Sequence, residues 1–185
     1  MKNRLPISIP NILTIIRILL TPIFVICLLK DVFFSGFVIF IFAAITDGLD
    51  GFIARYFNQR TVLGAYLDPI ADKMLLMSAF ITLSVLKIIP SWLTVIVLSR
   101  DVVIVLGVAI IAIVEIKVEI KPSIISKLTT LFQLVTVSIM LCEEEFHFSS
   151  FSYIEFPLFA ITGVLTVLSG LHYIYRGMNI LQNSS

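Results

Sequence analysis

The sequence predicts an all-α integral membrane protein with six transmembrane helices and both termini in the cytoplasm. Of its 185 residues, 59% are hydrophobic and 14% are charged, whereas a soluble domain is roughly half apolar and a quarter charged. Mean hydropathy is +1.09. The apolar residues form six runs, each close to the roughly 20 residues that a helix needs to cross a bilayer. These runs occupy most of the chain, so residues 1–185 are predicted to form a single membrane domain.

The six predicted spans follow one another with short connections. The first run is interpreted as a retained span, because no small-residue cleavage site follows it. Pro90 and Pro122 mark the starts of the fourth and fifth helices, where the missing N–H group does no harm. The predicted spans are Asn11–Leu29, Phe33–Ala54, Leu67–Leu86, Trp92–Val114, Ile124–Cys142 and Tyr153–Tyr175.

Charge asymmetry predicts the orientation of these spans. One side of the six-span arrangement carries most of the basic residues, while the other has two lysines and the acidic run Glu143–Glu145. The positive-inside rule therefore puts both termini in the cytoplasm, together with the connection between spans two and three. The expected location is a bacterial inner membrane. The basic residues on the cytoplasmic side are Lys2, Arg4, Arg55, Arg60, Lys117, Lys121 and Arg176.

The overall charge and the cysteines exclude other classes of protein. The formal net charge is +1, so no basic field indicates binding to nucleic acid. Cys27 and Cys142 lie far apart in apolar runs, and two free thiols are expected.

Four aspartates are concentrated around the connection between spans two and three. Positions spaced i, i+3, i+4, i+7 share one face of a helix, and so do positions spaced i, i+4, i+8. The first spacing is that of Asp47, Asp50, Gly51 and Ala54, and the second is that of Gly64, Asp68 and Asp72. The two helices are expected to be antiparallel neighbours, which would bring the acidic faces together near the cytoplasmic membrane surface.

Converging carboxylates indicate bound cations, because they repel one another and are expensive next to lipid. Carboxylate oxygens suit Mg²⁺ or Mn²⁺, and two such ions would suit phosphoryl-group chemistry. Arg55 can bind a phosphate through its planar guanidinium. The structural alternative is that the small residues serve helix packing and the carboxylates are solvated at the helix ends. The seven acidic and small positions at these spacings favour a cation-binding site over this alternative.

The stretch resembles the signature of the CDP-alcohol phosphotransferase family, D-x2-D-G-x2-A-R-x8-G-x3-D-x3-D, at every defined position. The resemblance implies an enzyme that transfers a phosphatidyl group from CDP-diacylglycerol to an alcohol and releases CMP. It implies that Asp47, Asp50 and Asp68 are the main metal ligands. Asp72 is implied to be the general base, with a contact to the second metal left open. The CDP pocket is implied to comprise Asp47, Asp50, Gly51, Ala54, Arg55, Gly64 and Asp68.

The first span adds to the resemblance. Ile9-Pro10-Asn11 with Thr14 and Arg17 is similar to the opening of the phosphatidylglycerophosphate synthases and cardiolipin synthases of this family. On a helix, Asn11, Thr14 and Arg17 fall within an arc of about 120°. Arg17 is therefore expected to face the interior of the bundle, and these three residues are candidates for lining the pocket. Family members are often homodimers, and a homodimer is expected here.

The acceptor alcohol is predicted from the fourth and fifth spans. Phosphatidylglycerophosphate synthases hold the phosphate dianion of glycerol 3-phosphate with several cations. This chain keeps Arg100 and Lys127, but Val108 stands where a second arginine is typical. Ser99-Arg100-Asp101 and the segment leading to Lys127 instead resemble the cardiolipin synthases, whose acceptor is phosphatidylglycerol. Phosphatidylglycerol is therefore the first choice of acceptor and glycerol 3-phosphate the second.

Other interpretations of these residues remain. Arg100 and Asp101 are adjacent, so they are expected not to face each other on a helix, and each could have a structural partner elsewhere. Lys127 could be an interfacial residue whose amine reaches water. Their functional interpretation is a basic lip that binds the acceptor. The rival to an enzyme is a divalent-cation channel or transporter that uses the aspartates as its ion path.

Overall fold

The computed structural model describes residues 9–56, 62–113, 123–146 and 152–182. It describes the side chains of residues 13–46, 71, 73–107, 123–146, 153–179 and 182. Every regular element in these ranges is an α-helix. The helices are α1 (Ile9–Leu29), α2 (Phe33–Tyr56), α3 (Val62–Val85), α4 (Ser91–Ile113), α5 (Ile124–Phe146) and α6 (Ser152–Gln182).

The helices confirm the predicted order of six elements and differ from it at their ends. α3 begins at Val62 rather than Leu67, and α6 continues to Gln182 rather than ending near Tyr175. Hydropathy locates the part of a helix that is suited to lipid. The backbone hydrogen bonds of these helices continue into polar sequence, where an apolar run cannot be used to locate the end of a helix.

Two sharp turns connect α1 to α2 and α3 to α4. In each, a residue other than glycine adopts a left-handed conformation, with φ 58° at Asp31 and 63° at Lys87. The Val32 N–H donates to the Cys27 carbonyl at 2.9 Å, and the Ile88 N–H donates to the Leu83 carbonyl at 2.9 Å. These are the hydrogen bonds of a Schellman motif, which pairs the last carbonyls of a helix while the chain reverses.

The chain forms two compact units, of which the first comprises residues 1–88 and 137–148. In this unit α1 packs against both α2 and α3. The rings of Phe24 and Phe40 lie 5.7 Å apart between α1 and α2, and Leu28 is fully buried beside them. Gly36 permits this contact, because a Cβ there would lie 2.7 Å from Leu28 Cδ2.

The C-terminal end of α5 also belongs to the first unit. There a carboxylate oxygen of Glu145 accepts a hydrogen bond of 2.9 Å from the backbone N–H of Phe34, in the first turn of α2. This contact satisfies one of the N–H groups that a helix leaves unpaired at its start, and it places a negative charge at the positive end of the helix dipole. The α1–α2 turn and the end of α5 therefore lie at the same end of the first unit.

The second unit comprises residues 89–136 and 149–185. Within it α4 packs against α6. Trp92 of α4 lies over Gly163 of α6, where a Cβ would come within 2.9 Å of the indole ring. α5 thus contributes its N-terminal part to this unit and its C-terminal part to the first. The prediction of a single membrane domain over residues 1–185 stays a prediction.

Two helices are long and apolar enough to cross a membrane among the described residues, over Ile124–Phe146 and Tyr153–Asn179. The apolar segments of α1, α2 and α3 within the same residues are shorter, namely Leu13–Leu29, Phe33–Thr46 and Lys73–Val85. The surface of the described part is rich in large apolar side chains, such as Leu19, Val85 and Phe156.

Replacement of Lys87 by glycine should stabilise the protein. A non-glycine residue in the left-handed region costs about 1 kcal/mol, part of which glycine gives back through greater freedom in the unfolded chain. We therefore expect Lys87→Gly to raise the free energy of unfolding in detergent by roughly 0.5 kcal/mol. Lys87→Ala is the control, since it removes the charge and keeps the backbone strain. An equal gain from both variants would attribute the effect to charge.

Candidate active site

The aspartate motif is carried by two continuous helices. Its first part, Asp47 to Arg55, lies in α2, and its second part, Gly64 to Asp72, lies in α3. The helical spacing that was predicted for each part is therefore present in the backbone. The side chains of residues 47–70 and of Asp72 are outside the described set. Their convergence and their roles as metal ligands, base and CDP pocket stay predictions.

α1 is the helix that holds the two motif helices in the first unit, because it packs against both α2 and α3. Its buried face is polar in part: Thr14 and Arg17 are 0% and 1% exposed, and Thr21 is also buried. The Thr21 hydroxyl donates to the Arg17 carbonyl at 2.9 Å. The predicted interior position of Arg17 is confirmed. The side chain of Asn11 is outside the described residues.

A buried guanidinium carries a strong requirement for acceptors, since taking a charge out of water without partners is costly. Arg17 takes part in at least one hydrogen bond, ion pair or other electrostatic interaction. The sequence therefore places a fixed cation on the helix that contacts both motif helices. This placement is compatible with the pocket-lining role predicted for Arg17, which stays a prediction.

Arg100 and Asp101 of α4 form an ion pair with each other, which corrects the expectation that they do not face one another. Arg100 Nη1 donates to Asp101 Oδ1 at 2.7 Å, and both side chains are 7% exposed. Adjacent Cβ atoms diverge by about 100° around a helix. The arginine side chain is long enough to curl across that angle, so the spacing rule for short side chains does not apply to it.

Two serines complete the surroundings of Arg100 in the second unit. Arg100 Nη2 donates to Ser126 Oγ of α5 at 2.5 Å and to Ser169 Oγ of α6 at 3.1 Å. The stem of Arg100 runs past Gly170, where a Cβ would make an ordinary contact of 3.6 Å with Arg100 Cγ. Arg100 thus links three helices of this unit.

Lys127 lies in the first turn of α5, directly after the serine that binds Arg100. Ser123 caps this helix: its hydroxyl accepts from the Ser126 N–H at 3.1 Å, and its carbonyl accepts from the Lys127 N–H at 3.2 Å. The Lys127 side chain is exposed. The structure therefore brings Arg100 and the helix end that carries Lys127 together, while leaving the amine accessible.

A row of buried polar side chains joins α5 to α6, and the sequence analysis missed it. The Thr129 hydroxyl bonds to the Leu165 carbonyl at 3.0 Å, and the hydroxyls of Thr136 and Thr162 are 2.9 Å apart. Gln133 Nε2 donates to Thr166 Oγ1 at 3.4 Å. We call this row the polar seam; its members are Thr129, Gln133 and Thr136 of α5 and Thr162, Thr166 and Ser169 of α6.

The polar seam had a signal in the sequence. Its members recur at i, i+4, i+7 on both helices, inside segments that are otherwise apolar. Small hydroxyl residues at such positions let helices approach closely and hydrogen-bond across the contact. Each member is at most 1% exposed. The seam fixes the register of α5 against α6 and therefore the positions of Ser126 and Ser169 around Arg100.

The described side chains include no group of three or more His, Cys, Asp or Glu residues that could hold a metal ion. The four aspartates of the motif are not among these side chains. The predicted Mg²⁺ or Mn²⁺ site therefore stays a prediction, and it depends on the motif alone.

Comparison with known proteins decides the family. The model of the CDP-alcohol phosphatidyltransferase family matches residues 7–170. The chain belongs to the CDP-alcohol phosphatidyltransferase family. The resemblance seen in the sequence is thus confirmed, and the chain is assigned to a family of transferases. The match includes both motif helices and the helices that carry Arg100 and Lys127.

Curated relatives of this family carry names for two different products or acceptors. A human relative, named cardiolipin synthase (CMP-forming), is 32% identical over 96% of this chain, which spans 64% of the relative's length. A Bacillus subtilis relative, named CDP-diacylglycerol–glycerol-3-phosphate 3-phosphatidyltransferase, is 30% identical over 96% of this chain and 99% of its own length. A Mycobacterium tuberculosis relative, named probable phosphatidylglycerophosphate synthase, is 33% identical and covers 92% of this chain. The relatives therefore leave two acceptors open.

A double-mutant cycle on Thr136 and Thr162 should detect the polar seam. Each threonine changed to valine keeps the shape and removes one hydroxyl of the 2.9 Å pair. Interhelical hydrogen bonds in membrane proteins average about 0.6 kcal/mol, and we expect a coupling energy of that size for unfolding in detergent micelles. Thr136→Val combined with Val95→Ala, at an exposed position of α4, is the control pair and should show none. Additive effects in the Thr136–Thr162 cycle would contradict the seam.

Proposed function

We propose that this protein transfers the phosphatidyl group of CDP-diacylglycerol to an alcohol and releases CMP, with phosphatidylglycerol as the acceptor and cardiolipin as the product. The observation that carries the proposal is the eight-position aspartate motif, Asp47 to Asp72, in a chain that belongs to the CDP-alcohol phosphatidyltransferase family. Its two halves occupy continuous helices, each with the spacing that keeps its acidic positions on one face.

The donor set fits a hard divalent cation. Asp47, Asp50 and Asp68 supply only carboxylate oxygens, which Mg²⁺ and Mn²⁺ both accept. These three residues are proposed to hold the metal, with two ions bound in the working enzyme. When bound, the ions would neutralise the diphosphate of the donor and so improve CMP as a leaving group.

The remaining motif residues are assigned by their chemistry. Asp72 is proposed to take the proton from the acceptor hydroxyl as a general base. Arg55 is proposed to bind the diphosphate through its guanidinium. Gly51, Ala54 and Gly64 are small, so the nucleotide can approach the backbone of α2 and α3 closely. No covalent enzyme intermediate is needed, because the activated hydroxyl attacks the phosphorus directly.

The charge around Arg100 supports phosphatidylglycerol as the acceptor. A terminal phosphate carries close to two negative charges, whereas the phosphodiester of phosphatidylglycerol carries one. Arg100 is already paired with Asp101 at 2.7 Å, so the pair contributes little net positive charge. Lys127 follows Ser126, which binds Arg100, and it is an exposed cation of α5. Such an arrangement favours an acceptor with one charge over an acceptor with two.

Glycerol 3-phosphate is the second candidate acceptor. The Bacillus subtilis relative, whose name states transfer to glycerol 3-phosphate, aligns over 99% of its own length with this chain. The human relative named cardiolipin synthase has comparable identity and aligns over 64% of its length. Similarity alone therefore does not select the acceptor, and the choice depends on the charges of the second unit.

The distribution of polar and apolar side chains supports a membrane location. Charged and polar residues such as Arg17, Arg100 and Gln133 are buried, while large apolar residues such as Leu19 and Phe156 are exposed. This arrangement suits a hydrocarbon solvent. The proposal is six spans in a bacterial inner membrane, with both termini and the motif on the cytoplasmic side. The homodimer expected from the resemblance stays a prediction.

A cation channel or transporter is the competing class of function. Its ion path would need polar groups that continue through the membrane from the aspartates. Membership of a transferase family argues against it. CMP release on addition of CDP-diacylglycerol separates the two classes, since a channel would release none.

Lipid mass spectrometry on the purified protein tests the reaction and the acceptor together. The protein is given CDP-diacylglycerol and Mg²⁺ with phosphatidylglycerol in one tube and glycerol 3-phosphate in another. We expect cardiolipin from the first tube. Asp72→Asn should lower its formation by about two orders of magnitude or more, because the loss of a general base commonly costs 10²–10⁴-fold.

The two tubes give distinct results for the two parts of the proposal. Phosphatidylglycerophosphate from the second tube, with no cardiolipin from the first, would retain the transfer reaction and overturn the acceptor. Full activity of Asp72→Asn would contradict the role of Asp72 as base. Omitting the metal and adding a chelator should abolish product in either tube.

Charge reversal at Lys127 tests its role in binding the acceptor. If the amine holds the acceptor phosphodiester, Lys127→Glu should raise the KM for phosphatidylglycerol roughly tenfold, while the KM for CDP-diacylglycerol changes little. Lys87→Glu is the matched control, because it reverses another exposed lysine in the α3–α4 turn. Equal changes in both KM values for Lys127→Glu would indicate a structural or interfacial role.

A further inference from the structure

The hydrogen-bond donors of Arg100 are largely used by the protein itself. A guanidinium has five N–H groups, one on Nε and two on each Nη. Nη1 donates to Asp101, and both bonds of Nη2 go to serine hydroxyls, those of Ser126 and Ser169. Among the described residues, Nε has no hydrogen-bond partner although it is buried. Arg100 therefore retains one buried donor on the edge shared by Nε and Nη2.

This pattern limits how Arg100 can bind an anion. Arginine grips a phosphate or carboxylate most strongly through two parallel N–H···O bonds, and on the Nε edge the second donor is Nη2. Here Nη2 is held by Ser126 from α5 and by Ser169 from α6. A bidentate grip on that edge requires one serine to be displaced, whereas a single bond from Nε does not.

The two serines cannot move away easily. Ser169 is fully buried, and it continues the polar seam at the i+7 position from Thr162. Ser126 follows Ser123, the cap of α5, by one turn, and its own carbonyl accepts from Thr130 Oγ1 at 3.1 Å. Both hydroxyls are therefore held where they meet the guanidinium.

We infer that Ser126 and Ser169 are specificity-determining residues, which occupy Nη2 of Arg100 and so disfavour a terminal phosphate relative to a phosphodiester. This inference rests on the proposed function and adds to it that Arg100, like Lys127, contacts the acceptor. A phosphodiester oxygen is served by the single Nε donor. A terminal phosphate, with its higher charge, needs the two-bond grip that the serines prevent.

The test measures kcat/KM for both acceptors in the same variant and compares their ratio with that of the wild type. Ser169→Ala removes one hydroxyl and frees one N–H of Nη2. We expect the ratio of kcat/KM for glycerol 3-phosphate to kcat/KM for phosphatidylglycerol to rise about tenfold, the value of one hydrogen bond to a charged group. A variant that only loosened the fold would lower both values and leave their ratio unchanged.

Three further variants protect the test against loss of folding. Ser126 is half-buried rather than fully buried, so its replacement disturbs packing less. Ser126→Ala should shift the ratio of the two kcat/KM values in the same direction. Ser126→Thr keeps the hydroxyl and should keep the wild-type ratio. Thr94→Ala is the matched control: it removes a buried hydroxyl from α4, outside the polar seam. An unchanged ratio in both serine-to-alanine variants, or an equal rise in Thr94→Ala, would overturn the inference.

A binding measurement separates this inference from the reaction. Titration calorimetry with glycerol 3-phosphate alone needs no turnover, and Ser169→Ala should bind it about tenfold more tightly than the wild type. Tighter binding without turnover of either acceptor would support the role of the serines and refute the proposed reaction. Turnover of phosphatidylglycerol with no change in binding or ratio would do the reverse.

Discussion

In the proposed membrane location, the polar groups of the described residues have to be satisfied inside the protein, because the described surface is rich in large apolar side chains. Where lipid replaces water, each buried donor or acceptor has to find its partner within the protein. Most of the described polar residues follow this constraint. Threonine hydroxyls bond to carbonyls one turn earlier or to a facing helix, and Arg100 donates to Asp101 and to two serines while its buried Nε keeps no hydrogen-bond partner among the described residues. The same constraint is the reason why four aspartates close together in the sequence predict bound cations.

The two compact units meet this constraint by different means. In the first unit α1 is the common neighbour of the two motif helices, and its apolar end forms the core through Phe24 and Leu28. In the second unit the contacts are more polar, with the seam of α5 and α6 leading to Arg100. Charged groups have to be held at fixed positions if they are to bind a substrate. In this protein buried hydrogen bonds, as well as apolar packing, hold the helices that carry them.

Sequence reasoning predicted the helices and the family, because each depends on a strong local pattern. Six apolar runs gave six helices, and eight fixed positions gave a signature that comparison confirmed. It failed at Arg100 and Asp101, where a rule for short side chains was applied to a long and flexible one. It also missed the partnership of Ser126 with Ser169, since residues far apart in sequence meet only through the packing of three helices. In the proposed function the acceptor is selected by such contacts, so its identity could not follow from the motif.

The turns at Asp31 and Lys87 have a consequence for how deeply the helices sit. Glycine would suit their left-handed backbone better, but glycine carries no charge and could sink into hydrocarbon. In the proposed orientation each turn carries a charged residue at the outer membrane surface, and drawing such a side chain into the bilayer core costs roughly 2.5–3.5 kcal/mol on insertion scales. The two charged turns would therefore limit how far their helices can slide across the bilayer. In the same orientation this limit would keep the other ends of α2 and α3, which carry the aspartate motif, near the cytoplasmic water boundary.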